Sequence, residues 1–303
     1  MKKIISVDGG GIRGIVPTYI LHKIEEEMQE QLTDVVDLVA GTSTGSIVAG
    51  AISKGMPMGR LLEFYLNDGS DIFASTIKYK LKTLFGLFGS KYDIRPLEEK
   101  IKGVFGEMTM KDLHNDFLCT AYNMTKGKPQ FFNGSNFSDT PIYKLITAST
   151  AAPTYFQPVD IKGEEYVDGG IFAPNPAMVA FTEAKSRYNL NAKDILLISM
   201  GTGAKNNSYN DVSNWFKLKW LNPLIKIMMS ADVGTVHYQL AKIYGSVKQY
   251  ENYYRINEFM PDNMDGGMTS ASAKDIKDLV EFSKFTAKKN KKKIKEIAEA
   301  LTR

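Results

Sequence analysis

Three short stretches of the chain carry residues that could do chemistry. The first is Gly41-Thr42-Ser43-Thr44-Gly45, a serine flanked by glycines. It follows Val35-Val36-Asp37-Leu38-Val39-Ala40, an apolar run that reads as a buried strand. It precedes Ser46-Ile47-Val48-Ala49-Gly50-Ala51-Ile52-Ser53-Lys54, a small-residue helix stopped by Gly55. Strand, G-x-S-x-G, helix is the context of a nucleophile elbow, a sharp turn that exposes a serine hydroxyl above a sheet. Such a turn brings backbones close together, and Gly41 and Gly45 keep its flanks small. Ser43 would then stand at a helix N-terminus, where the dipole and free N–H groups favour developing negative charge. Five residues of this kind also fit a plain loop with a helix cap, so the rest of the chain has to decide.

The second stretch is Asp8-Gly9-Gly10-Gly11-Ile12-Arg13-Gly14, after an apolar strand over residues 3–7. Three successive glycines leave backbone N–H groups uncovered. Beside the helix that starts at Ile15, with Pro17 tolerated in its first turn, they form an anion cradle. The same residues match G-x-G-x-x-G, the dinucleotide fingerprint. That use needs an acidic residue ending the second strand, to hold a ribose, and here the second strand runs into Ala40-Gly41-Thr42-Ser43 instead. The third stretch is Tyr166-Val167-Asp168-Gly169-Gly170. An aspartate at a strand end, followed by two glycines, projects its carboxylate with little steric cover, although Asp-Gly is also an ordinary turn.

A serine nucleophile needs a base. The chain has three histidines, His22, His114 and His237. Only His237 follows in the order Ser, Asp, His, and it lies in an aromatic, Met-rich helical region without loop chemistry. His114 is near Cys119, but no elbow surrounds that cysteine. An aspartate acting directly on the serine is the economical alternative, and Asp168 is the candidate.

Together, Gly9-Gly10-Gly11-Ile12-Arg13-Gly14, Gly41-Thr42-Ser43-Thr44-Gly45 and Asp168-Gly169-Gly170, in this order and spacing, resemble the three signatures of the patatin-like phospholipases. The block Ala148-Ser149-Thr150-Ala151-Ala152-Pro153 strengthens the likeness, which covers residues 3–205. The resemblance implies a lipid acyl hydrolase with a Ser-Asp dyad and no metal or cofactor in the chemistry. By that likeness Ser43 is the nucleophile, Asp168 the proton acceptor, and the amides of Gly9, Gly10 and Gly11 the oxyanion hole. Arg13, Gly14, Gly41, Gly45, Gly169 and Gly170 support them, with Arg13 ordering the glycine loop or attracting a headgroup phosphate. The implied partners are a phospholipid or other acyl ester and a peripheral membrane surface, with no nucleic acid. The family also includes bacterial effectors activated by a partner or a nucleotide signal. The rival readings of another class are a dinucleotide-binding protein and a non-catalytic membrane-binding module.

Repeated strand-then-helix units must position these stretches. They predict an α/β fold, a mostly parallel sheet covered by helices on both faces in three layers. Strands are expected at residues 35–40, 116–124, 130–133, 166–168, 194–200 and 253–257. The helical region over 211–243 is expected to break near Pro223 and Gly234. With 303 residues, 43% of them hydrophobic, and no repeat or linker, the expectation is a single domain over 1–303. Its motif-bearing core covers about 3–205, with an integrated helix-rich part over 206–303. Cys119, the single cysteine, excludes an internal disulfide and suits a reducing compartment. Ile4-Ile5-Ser6-Val7 is too short for a secretory apolar region, and no stretch approaches eighteen apolar residues. The net charge of +4 permits contact with anionic surfaces. A cytoplasmic protein in transient contact with membranes is expected. Asp262-Asn263-Met264-Asp265-Gly266-Gly267 lacks the glutamate that would close a calcium loop, with Ala273 at the twelfth position, and reads as a turn. In the stretch over 72–92, lysines interleave with large apolar groups beside Gly86 and Gly89. It reads either as a lid or membrane-facing segment, with Phe85 and Phe88 toward lipid and Lys78, Lys80, Lys82 and Lys91 near headgroups, or as a core helix with solvated lysines.

Overall fold

The computed structural model describes residues 1–72, 90–206, 209, 212, 217–248, 250–264 and 267–303. The segment over 73–89, with Phe85, Phe88, Lys78, Lys80 and Lys82, lies outside the described residues. An eight-stranded mixed sheet forms the centre, in the order β5-β6-β3-β2-β1-β7-β8, with β4 paired to β3. The strands are β1 (Lys2–Val7), β2 (Leu38–Thr42), β3 (Asp116–Asn123), β4 (Lys128–Phe132), β5 (Val159–Ile161), β6 (Glu164–Asp168), β7 (Ile195–Met200) and β8 (Tyr253–Ile256). The pairs β1–β2, β1–β7, β2–β3 and β7–β8 are parallel. The pairs β3–β4, β3–β6 and β5–β6 are antiparallel.

The central strands are apolar on both sides, as strands covered by two helical layers must be. Ile5, Val7, Val39, Cys119 and Ile198 face one layer. It contains α1 (Ile15–Met28), α3 (Thr44–Ser53), α4 (Met58–Ile72), α5 (Arg95–Phe105) and α6 (Ile142–Thr150), after the short α2 (Leu32–Val35). α9 (Ala273–Lys289) and α10 (Lys291–Thr302) pack against α1 in the same layer. Ile4, Leu38, Ala40, Leu118 and Leu197 face the other layer. There α7 (Ala177–Arg187) presents Ala177, Ala180 and Ala184 to the sheet, and α8 (Lys217–Ser246) adds Val236, Leu240 and Tyr244. Small residues recurring at helical spacing let α7 lie close on the strands. Cys119 is fully buried, and burial pushes its thiol well above the usual range.

Several expectations are corrected. The second strand starts at Leu38 rather than Val35. Asp37 accepts hydrogen bonds from Lys2 Nζ (2.6 Å) and the Lys3 N–H (2.8 Å), and this fixes the chain before the strand pairs Leu38 with Ile4. The region expected to break at Pro223 and Gly234 is one helix through both residues. Its anchor residues Val236, Leu240 and Tyr244 are buried, and their packing outweighs the cost of ~3 kcal/mol for a proline and ~1 kcal/mol for a glycine. β5 has no counterpart among the expected strands, and the helix-rich part over 206–303 ends in two helices, α9 and α10, divided at Asn290.

Where β1 and β2 end, main chain lies against main chain. A Cβ on Gly45 would fall inside the Val7 carbonyl oxygen, and one on Gly41 inside the Gly45 carbonyl. Neither neighbour is a flexible side-chain tip that could swing away. Gly45→Ala is therefore expected to lower the unfolding free energy by ~3 kcal/mol, the upper range of overpacking costs, as read from a urea unfolding curve. Wild-type stability in that variant would contradict the packing described.

Candidate active site

The register brings the serine and the aspartate together. Thr42 pairs with Thr120 on β3, and the next β3 residue, Ala121, pairs with Asp168 on β6. Ser43, one residue past Thr42, therefore stands level with Asp168 across the single intervening strand. Antiparallel pairing of β6 delivers the C-terminal end of that strand, and so the aspartate, to this level.

Ser43 is the N-cap of α3, yet its side chain makes no capping bond, and its backbone sits at φ 56°, ψ −128°. A non-glycine residue there carries strain of roughly 1–3 kcal/mol, so the surroundings must hold it. Ser46 donates to the Ser43 carbonyl through both its N–H (2.8 Å) and its hydroxyl (2.6 Å). The Ser43 N–H donates to Ser149 Oγ at 3.0 Å. Thr42 Oγ1 lies 2.7 Å from Thr120 Oγ1 and donates to the Ala173 carbonyl at 2.7 Å. The hydroxyl of Ser43 is left for Asp168, whose carboxylate it helps to stabilise. Resting nucleophile–base contacts are often long or poorly aligned.

Asp168 is 5% exposed. Its N–H donates to the Ala151 carbonyl (3.0 Å), and its Oδ1 accepts the Gly170 N–H (2.7 Å). Burial raises its pKa to about 6, against the lowering effects of the Ser43 hydroxyl and the Gly170 amide. At neutral pH the group is a carboxylate whose proton affinity lies far above that of a solvated aspartate.

The glycine stretch leans on the serine, the Gly9 Cα pointing toward Ser43 Cβ. Its three amides are not equivalent. The Gly9 N–H donates to the Pro174 carbonyl at 2.9 Å, which takes Gly9 out of the candidate oxyanion set. The Ile12 N–H is likewise held, by the Met268 carbonyl at 3.0 Å. Gly10 and Gly11 keep N–H groups without an acceptor among the described residues. Gly11 is at φ +58°, where only glycine is unstrained, and a Cβ there would run into Met268. Arg13 orders this loop, with Nε donating to the Gly10 carbonyl and Nη1 to the Gly203 carbonyl, each at 3.3 Å. Burial lowers the Arg13 pKa to about 10 despite the nearby Asp8 carboxylate, so the guanidinium stays charged at neutral pH. Gly14 lets the loop end on Thr44 and Tyr65, whose hydroxyls lie 2.5 Å apart.

His237 stands apart from this group. It is exposed, with Nδ1 3.0 Å from the Tyr253 hydroxyl. His22 pairs with Glu26, and His114 packs beside Gly55. Among the described residues no cluster of His, Cys, Asp and Glu could hold a metal ion.

Sequence reading missed several residues that hold the site. Ser149 and Ala151 lie within the small-residue block, whose spacing says only that something packs closely there. One bonds the Ser43 amide and the other the Asp168 amide. Asp232 on α8 faces the Asn175 N–H, and burial raises its pKa to about 6. It lies in a helix with no motif to mark it. Arg255 was open to detection as a lone charge in the apolar strand Tyr253-Tyr254-Arg255-Ile256.

The model of the family described as patatin-like phospholipase matches residues 5–181. The chain belongs to the patatin-like phospholipase family. Among its relatives, the protein named probable inactive patatin-3-Kuras 1 from Solanum tuberosum is 28% identical, over 85% of this chain and 79% of its own. Patatin-17 from Solanum cardiophyllum is 27% identical, over 95% and 84%. Both Ser43 and Asp168 are present in this patatin-like chain. Among solved structures, VipD from Legionella pneumophila superposes with a TM-score of 0.45 at 14% identity, covering 93% of this chain and 66% of VipD. ExoU, in its complex with SpcU from Pseudomonas aeruginosa, gives 0.40 at 14% identity, covering 93% of this chain and 52% of ExoU. The patatin-like chain thus spans just under two thirds of the VipD chain and about half of the ExoU chain.

Two stability effects follow from the site. Ser43→Gly relieves the backbone strain, so it is expected to be about 1 kcal/mol more stable than Ser43→Ala after the extra chain entropy of glycine is counted. Urea midpoints of the two variants compare them, and an equal or lower midpoint for glycine would refute the strain. Asp168 binds its proton more tightly folded than unfolded, so it destabilises the fold above pH 6, and the penalty fades as pH falls through about 6 toward the ordinary value of 3.8. Asp168→Asn should therefore be more stable than wild type at pH 8 by on the order of 2–3 kcal/mol, with the difference closing near pH 4. A less stable Asp168→Asn at pH 8 would contradict the desolvation.

Proposed function

We propose that the protein is a serine lipid acyl hydrolase that cleaves fatty acyl esters of phospholipids through Ser43 and Asp168. The observation that carries the reading is the buried Asp168 carboxylate, raised to about 6 and facing the hydroxyl of a strained Ser43 that makes no capping bond. Asp168 takes the Ser43 proton as Oγ attacks the ester carbonyl. The tetrahedral oxyanion lies against the Gly10 and Gly11 amides at the N-terminal side of α3. One such donor typically contributes ~3 kcal/mol to transition-state stabilisation. Protonated Asp168 then gives its proton to the leaving alcohol, and an acyl ester remains on Ser43. Water, deprotonated by Asp168, attacks that ester, releases the fatty acid and restores the dyad. Every proton in both halves passes through one carboxylate, so no histidine is required.

A phospholipid reaches such a site from a bilayer. Among the described residues no helix is long and apolar enough to cross a membrane, so contact from one side is the mode proposed. Ile171, beside the Asp168-Gly169-Gly170 turn, and Leu224 and Met228 on α8 are exposed apolar residues that an acyl chain would meet. Met229 of the same helix lies against Gly170. Lys91 is the described residue of the 72–92 stretch proposed near headgroups, and its ammonium lies over the Tyr92 and Tyr155 rings.

The test is incubation with mixed phospholipid vesicles and mass spectrometry of the products. Wild type should release free fatty acid and lysophospholipid, at a rate that rises with pH through about 6 and then levels, as Asp168 ionises. Ser43→Ala should fall by ~10³-fold or more, with Asp168→Asn nearly as low and His237→Ala close to wild type. Binding to vesicles without product, or turnover that survives Ser43→Ala, would sink the proposal.

A further inference from the structure

Apart from the Gly9–Pro174 bond, the loop that carries the free Gly10 and Gly11 amides is anchored from outside the part of the chain that matches the family model. Asp8 immediately precedes it. Arg255 lies on β8, two strands from β1. Ser199 of β7 pairs in register with both Ser6 and Arg255. The Arg255 side chain crosses β7 and grips Asp8 with both arms, Nη1 to Oδ1 at 2.9 Å and Nη2 to Oδ2 at 2.5 Å. Its Nη1 also donates to Ser199 Oγ at 2.8 Å. The two side chains are 8% and 4% exposed. The carboxylate is thus fixed at both oxygens, and its own N–H is tied to the Met200 carbonyl at 2.9 Å. On the far side of the glycines the loop rests on the Met268 and Gly203 carbonyls. All these anchors lie beyond residue 181, where the family match ends.

We propose that Arg255 is a positioning residue of the reaction: by clamping Asp8 it sets where the Gly10 and Gly11 amides point. The proposal rests on the reading of those amides as oxyanion donors. Two features single out Arg255 from ordinary core packing. The pair is bidentate, a geometry that fixes orientation as well as distance. It also holds the residue that enters the loop, so a shift of Asp8 is passed through one peptide link to Gly9, whose own bonds to Pro174 and Thr202 it supplements. The amides that carry no protein acceptor take their direction from the loop backbone alone, and a displacement of about 1 Å is enough to weaken a contact to the reacting oxygen severely. The C-terminal third of the chain thereby contributes to the rate without touching substrate.

The experiment compares wild type, Arg255→Lys and Arg255→Met as full chains. It has two readouts: deuterium exchange of the amides over residues 9–14, and kcat and KM on a soluble short-chain ester. Lysine keeps a cation beside the buried carboxylate, so that variant folds, but it loses the planar fork. Exchange in the loop should rise about tenfold while the β2 amides stay unchanged, and kcat should fall about tenfold with KM within about twofold. Arg255→Met should move both readouts further if it folds. If it does not, Arg255→Lys decides. A folded Arg255→Lys with wild-type kcat overturns the proposal, whether or not its loop exchanges faster, and so does a loss of kcat without faster loop exchange. Should wild type turn over no ester, the acyl-hydrolase reading falls on its own. Unchanged loop exchange in Arg255→Lys would then still refute the clamp, and faster exchange would uphold it.

Discussion

At the ends of the two central strands the main chain of one segment presses on the main chain of the next, with no side chain between them. Gly45 lies under the Val7 carbonyl, Gly41 against Gly45, and Gly9 against Ser43. This contact dictates the glycines and forces the serine into its strained turn. It also brings the loop after β1 beside the helix that begins after Ser43. The rest of the molecule works to keep that junction fixed. The two helical layers bury the strands from both faces, and the block over 148–153 bonds the amides of both Ser43 and Asp168.

The same closeness excludes water, and this gives the aspartate its chemistry. A solvated carboxylate is too weak a base for an alcohol. Asp168, with one amide and one hydroxyl as partners, is raised to about 6. The fold bears a stability cost for holding that charge, as sites built for reaction commonly do. Asp8 lies in an equally buried place but meets an arginine with two-point geometry. Burial raises the proton affinity of both aspartates, and their partners set them apart: Asp8 is held at both oxygens by a guanidinium that works against that rise, while Asp168 meets no cation. His237, which could have served as a base, is exposed and turned to Tyr253.

Much of this was readable in the residues because it is local. Glycines at 9–11, 41, 45, 169 and 170 mark close backbone approach or an uncovered carboxylate. The small residues before Pro153 mark a tightly packed helix end, and the run over 195–200 marks a strand buried on both faces. What escaped is non-local. Nothing near Gly9 says that its amide is taken by Pro174, more than 160 residues later. Nothing near Asp168 says that its strand runs antiparallel to β3. The start of β2 depends on Asp37 meeting Lys2 and Lys3 across the sheet. The continuity of α8 through Pro223 depends on tertiary packing that local propensity cannot register.

The dyad is tested most directly by the rate at which an organophosphonate ester labels the protein, followed by mass spectrometry of the labelled peptide between pH 4 and 9. Phosphonylation needs an activated serine and oxyanion donors but no bilayer, so lipid preference does not enter. A Ser43–Asp168 dyad predicts a single adduct on Ser43, formed at a rate that rises with pH through about 6 and that drops ~10³-fold in Asp168→Asn. An adduct on another residue, or a labelling rate that Asp168→Asn leaves unchanged, would contradict it.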